Sequence, residues 1–109
     1  MNPEVIEKMI DAGRDSYEAR LAAGQARLKQ GDPDRAREHL ERATAFKPQQ
    51  TMAWQELGRA CNDGGDPQAA RAAWLKGLEM AVANGDKQAE KVMTVWLKRL
   101  DRNQDSERA

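Results

Sequence analysis

Apolar residues recur three and four positions apart along most of the chain, and no stretch alternates apolar with polar as a half-buried strand does. Val5, Ile6, Met9 and Ile10 share one helical face behind Asn2, a cap, and Pro3, which suits a first helical turn. This spacing predicts a helix over 3–12, loosened at Gly13. Tyr17, Leu21, Gly24 and Leu28 set the face of a helix over 16–30, capped by Asp15 or Ser16 and closed by Gly31. Asp32-Pro33 starts a third helix over 33–46, with Ala36, Leu40 and Ala43 inward. Lys47-Pro48 stops it, because the residue before proline avoids helical backbone. Thr51 reads as the cap of a helix over 51–63 that carries Trp54, Leu57, Gly58 and Cys61. Asp66-Pro67 begins a fifth over 67–83, with Ala70, Trp74, Gly77 and Leu78. Asn84-Gly85 marks a turn and Asp86 caps a sixth over 87–101. Ala89, Val92, Met93, Trp96, Leu97 and Leu100 give that helix one broad apolar face, with Val95 outside it. Residues 102–109 are charged, lack an apolar anchor and are expected to be a disordered tail.

The pattern repeats. Gly31-Asp32-Pro33 returns as Gly65-Asp66-Pro67, 34 residues on, and Gly24/Gly58, Ala36/Ala70 and Arg37/Arg71 share the offset. A fixed period of this length marks a chain of repeated supersecondary units. Short loops bring successive helices antiparallel, so the expected fold is all-α, a stack of helix hairpins in one domain over 1–101. Its parts are an N-terminal helix in 3–15, repeats over 17–50 and 51–84, and a capping helix in 85–101. Glycine and alanine at the paired positions let helix axes approach, and Leu40 and Trp74 fill the space they leave. Two repeats alone expose apolar edges, and the flanking helices, each with one apolar and one charged face, are expected to cover them.

Composition narrows the functions. The chain has 109 residues, 18 basic and 18 acidic, so it lacks the basic excess that phosphate neutralisation demands of most nucleic-acid binders. Cys61 and His39 are single, which removes an internal disulfide and a Cys/His metal cluster. No apolar run approaches the roughly 20 residues of a membrane-spanning helix, and residues 1–14 do not resemble a signal peptide. A soluble, cytoplasmic protein is expected, with neither membrane nor small-molecule substrate as a partner. His39 sits between Glu38 and Leu40 with no nucleophile at fixed spacing, and reads as a partly exposed structural histidine. Cys61 reads as a small buried hydrophobe. Gly-Asp-Pro lacks the glycine run and lysine of a phosphate loop, and Asp63-Gly64-Gly65-Asp66 lacks the ligands of a calcium loop. No catalytic set, metal site or cofactor site is expected.

Trp54-x-x-Leu57-Gly58-x-x-Cys61, followed by Ala70, Trp74 and Gly77, resembles the tetratricopeptide repeat. Gly24, Ala36, Leu40, Ala43 and Pro48 match the same pattern in the first copy. Departures are Cys61 for a tyrosine, Gly77 for an alanine, Val82 for the closing proline, and Arg20, Ala23 and Arg27 where large apolar residues are usual. The layout is also similar to small bacterial proteins with two such repeats and a final helix ending like Trp96-Leu97-Lys98-Arg99-Leu100. The resemblance implies a right-handed superhelix whose concave groove binds a peptide or helix of another protein, without catalysis. The family's groove positions correspond here to Glu18, Leu21, Gln25 and Leu28 in the first copy, and Met52, Gln55, Arg59 and Asn62 in the second. Chaperone-binding members hold a terminal carboxylate with a lysine and asparagines; Leu21 and Gln25 occupy the first two of those positions, which argues against that activity. An alternative is a homo-oligomeric structural component that self-associates through its terminal helices. A weaker one is nucleic-acid contact through Lys87, Lys91, Lys98, Arg99 and Arg102 on the basic last helix.

Overall fold

The protein is described by a computed structural model covering residues 2–108, with side chains as far as Asn103. The described residues form six helices and no strand: α1 (Pro3–Asp11), α2 (Tyr17–Lys29), α3 (Pro33–Phe46), α4 (Thr51–Asp63), α5 (Pro67–Asn84) and α6 (Lys87–Arg108). Five starts are fixed by side-chain caps. Asn2 accepts from the Glu4 amide at 2.9 Å and Ser16 from Ala19 at 3.0 Å. Asp32, Asp66 and Asp86 accept from Arg35, Ala69 and Ala89 at 3.3, 3.1 and 3.1 Å. Each cap satisfies an amide that the first helical turn leaves without a partner.

Two expectations change. Thr51 is not a cap: Gln50 precedes α4 without a side-chain bond. Thr51 lies inside the first turn, and its hydroxyl donates to Asp86 at 3.1 Å, joining the starts of α4 and α6. And α6 does not stop at Asp101 before an unstructured tail. It runs through Arg108, since neither glycine nor proline follows to end it.

Each helix packs on the next, and α4 also meets α2 and α6, whereas α3 and α5 do not meet. The layer α2, α4, α6 is thus drawn together while α3 and α5 splay apart, which curves the stack with α2, α4 and α6 on the inner side. A slab of 48 × 31 × 19 Å results. The hairpins close because small residues face large ones. A Cβ on Gly24 would lie 2.5 Å from Leu40 Cγ, and one on Gly58 would overlap the Trp74 indole. Leu40 and Trp74 are themselves 34 residues apart, so both repeats use the same device. Gly77 likewise admits Met93 of α6, with its Cβ position 2.6 Å from the sulfur. Leu40, Leu57, Cys61, Trp74, Met93 and Leu97 belong to one continuous core.

The first repeat departs from that scheme, and charge explains how. Arg27, standing where a large apolar residue is usual, is buried and donates to both Glu7 carboxylate oxygens at 3.0 and 2.5 Å. His39 is not partly exposed as expected. It is 9% exposed, with Nε2 2.6 Å from Glu7 and Nδ1 3.1 Å from Arg20, which also holds Asp15 at 2.7 Å. Glu7 carries this network from α1, whose Ile6 and Ile10 cover Ala23 of α2. Polar side chains therefore fasten α1, whereas α6 joins repeat 2 mainly through apolar packing, with the Thr51–Asp86 and Arg71–Asp101 contacts beside it.

Candidate functional site

The inner face is built mainly on α4. Met52, Gln55, Arg59 and Asn62 follow three and four residues apart, so they stack in one stripe along its surface. Met52, Arg59 and Asn62 are exposed and Gln55 is half-buried. Two clefts separate this stripe from α6. The larger of the two holds about 280 Å³ and lies between Arg59 and Asn62 of α4 and Trp96, Arg99 and Asn103 of α6, with Trp74 of α5 behind them. The second, about 220 Å³, lies toward the other end of α4 between Met52, Gln55, Ala89 and Val92.

The floor of this larger cleft is fixed. Trp74 donates its indole N–H to the Gln55 carbonyl at 3.0 Å, which orients the ring. Trp96 tilts against it, ring centroids 5.2 Å apart, a spacing at which aromatic pairs attract. The rim is polar. Arg59 donates through one terminal nitrogen to both oxygens of buried Glu56, at 3.2 and 3.3 Å. Its remaining N–H groups, and the whole Arg99 guanidinium, make no ion pair or hydrogen bond among the described residues. Asp63 contributes a carboxylate to the rim.

The α2 residues are placed differently. Gln25 lines a separate open depression of about 520 Å³ with Ala22, Ala26 and Lys29. Leu21 and Leu28 are half-buried against the core, so packing between α2 and its neighbours already uses much of their surface. Glu18 is exposed but paired with Lys47 at 2.9 Å, and that hydrogen bond holds its carboxyl below the usual range. Four of the eight groove residues thus form one stripe on α4, and the other four lie on the neighbouring α2.

Sequence reasoning missed the α6 wall. Trp96 was expected to cover the repeat-2 edge; it does touch the core, but it is only partly buried and its remaining surface faces the cleft beside Arg99 and Asn103. The start of α4 follows that of α2 by 34 residues, but α6 follows α4 by 36, because α5 is extended to Asn84. Applying the 36-residue offset would have shown α6 to be the inner helix of a further half-repeat.

Neither sequence-level candidate for chemistry presents a reactive group. Cys61 is 3% exposed and burial pushes its thiol up. His39 is enclosed by Glu7 and Arg20. Among the described residues no group of three or more His, Cys, Asp or Glu side chains is arranged to hold a metal ion, and no helix is long and apolar enough to cross a membrane.

A curved stack of antiparallel helix pairs with a lined inner face defines a helical-repeat scaffold. The Tetratricopeptide repeat family matches residues 21–88, and the chain belongs to that family. It is 46% identical over 99 residues to the TPR repeat-containing protein PA0015 of Pseudomonas aeruginosa, a match covering 91% of this chain and 94% of that protein. The solution structure of protein BPP2914 from Bordetella parapertussis superposes with a TM-score of 0.84 at 34% identity, over 99% of this chain and 94% of that one. Repeats of this family generally mediate protein–protein interaction and are typically non-catalytic scaffolds.

Proposed function

We propose that this protein is a non-catalytic interaction module that binds a peptide segment or helix of another protein along the inner face. The observation that carries this reading is the pair of clefts between α4 and α6, which run past Met52, Gln55, Arg59 and Asn62. Their chemistry is mixed: a thioether and an aliphatic side chain at one end, two indoles under guanidinium and amide groups at the other. Methionine adapts its shape to a partner, and indole and guanidinium groups are the side chains on which interface affinity concentrates. Both clefts fall at or below the lower end of the range of about 300–1,000 Å³ typical of small-molecule pockets, and fit side chains of a docked chain better than a cofactor. A reducing compartment such as the cytoplasm suits the unpaired Cys61.

The test is to map a captured partner by chemical-shift perturbation. Perturbed amides should cluster on α4 and α6 and extend to Gln25 of α2. Perturbation confined to the outer helices α3 and α5 would defeat the assignment. Self-association is the second reading, favoured by Val5 and Met9, which stand 53% and 42% exposed one helical turn apart on α1. It predicts a molecular mass that rises with concentration and falls back in Val5→Ser/Met9→Ser.

A further inference from the structure

We infer that the inner face selects an extended acidic segment, placing a side-chain carboxylate between Arg59 and Arg99 and an apolar side chain about three residues away against Met52 and Val92. This rests on the groove reading above and names the chemistry of its partner. Arg59 and Arg99 approach one cleft from opposite helices, with amides of Asn62 and Asn103 beside them and two indoles beneath. Buried Glu56 occupies only one nitrogen of Arg59, and Arg99 has no partner among the described residues. Guanidinium groups with free N–H edges above a partly apolar floor match a planar carboxylate on a short apolar stem, the chemistry of aspartate and glutamate. Exposed Lys98 and Arg102 flank Arg99 on α6 and add positive charge. Asp63, on the same rim, disfavours a polyanion, which would bring many phosphates past it.

The two clefts set a ruler. Both clefts lie along α4 facing α6, and Gln55 of the second supplies the carbonyl that holds Trp74 of the first, so one segment laid along α4 reaches both. Met52 and Arg59 are seven residues apart on a helix, about 10 Å along its axis at a rise of roughly 1.5 Å per residue. An extended chain in the polyproline II conformation covers that in about three residues at roughly 3.1 Å each, and its three-residue turn sets side chains three positions apart on the same side.

The probe is a displayed library of random ten-residue peptides, capped at both ends and selected on the full chain, with affinities read by tryptophan fluorescence, to which Trp54, Trp74 and Trp96 contribute. Selected peptides should carry Asp or Glu three positions from Leu, Ile, Met or Phe. Replacing that acid with its amide should weaken binding at least tenfold. Arg99→Gln, which alters an exposed side chain, should melt normally and bind the acidic and amide peptides equally. Selected peptides without an acid, or an acid preference that survives Arg99→Gln, would overturn this inference while leaving the groove reading intact. If no peptide is enriched over an unrelated helical protein, both fall. A salt-sensitive quench of the tryptophan fluorescence by a ten-nucleotide DNA strand, with no response to the peptides, would overturn both in favour of nucleic acid.

Discussion

At the residue scale, the stack is specified by small side chains set opposite large ones. Gly58 sits under Trp74, whose indole is pinned by the Gln55 carbonyl, and Gly24 sits under Leu40. Glycine inside a helix costs about 1 kcal/mol relative to alanine, so its presence at both positions implies that a methyl group there costs more. The Trp74 ring is rigid and hydrogen-bonded, whereas the Leu40 side chain bends. Gly58→Ala should therefore destabilise by about 1–3 kcal/mol, the usual range for overpacking, and Gly24→Ala by less. Urea melts of the two variants read the order directly, and equal midpoints would contradict it. These pairs were legible, because a glycine and a bulky residue recur together at one offset. The Glu7–Arg27–His39 cluster was not: its members lie 20 and 32 residues apart and obey no periodicity. Its pH signature follows from Glu7. The Arg27 hydrogen bond lowers the Glu7 carboxyl from 4.5 to about 2, against the opposing effect of burial. A carboxyl depressed in the folded state contributes stability that is whole above pH 4.5 and lost as pH falls toward 2. The gap in melting temperature between the native chain and Glu7→Gln should therefore narrow from pH 7 to pH 3.

At the element scale, helix starts were the most readable feature, because aspartate, serine or asparagine at the cap acts within three residues. Thr51 misled because a capping residue type stood one position inside the helix. The end of α6 misled because polar composition does not itself stop a helix. The role of α6 also divides differently from the apolar pattern's suggestion. Met93 is fully buried and enters the space above Gly77, whereas Trp96 keeps a face open to the cleft. Sequence alone would give Trp96→Ala the about 3–5 kcal/mol of a buried tryptophan; partial exposure should hold it near 2 kcal/mol or below. Met93→Ala should cost about 2–5 kcal/mol, the range for emptying a buried site. Thermal melts should rank Met93→Ala as the more damaging. The reverse order would mean that Trp96 belongs to the core and is not free to serve the cleft.

At the scale of the whole molecule, the stack has ends that differ. Repeat arrays hold together through neighbour contacts, so opening begins where the last interface is weakest. At one end α6 inserts Met93, Leu97 and Leu100 into the main core. At the other, α1 offers Ile6 and Ile10 to a small separate cluster and relies on Glu7 for its polar hold. The inner face between α4 and α6 is thus built on the firmer end, as a surface that must keep two indoles and two guanidinium groups in register requires. Hydrogen exchange at neutral pH should show the amides of α1 opening first and those of α4 and α5 last. Glu7→Gln should speed exchange across Pro3–Asp11 while leaving α4 unchanged, because the lost bonds belong to one interface of the stack. Acidification toward pH 2 should weaken the α1 interface in the native chain as well, together with the Asp15 and Asp66 contacts, whose carboxyls are also held low. Uniform acceleration across all six helices in Glu7→Gln would mean instead that the chain opens only as a whole and that α1 is not an independently detachable cap.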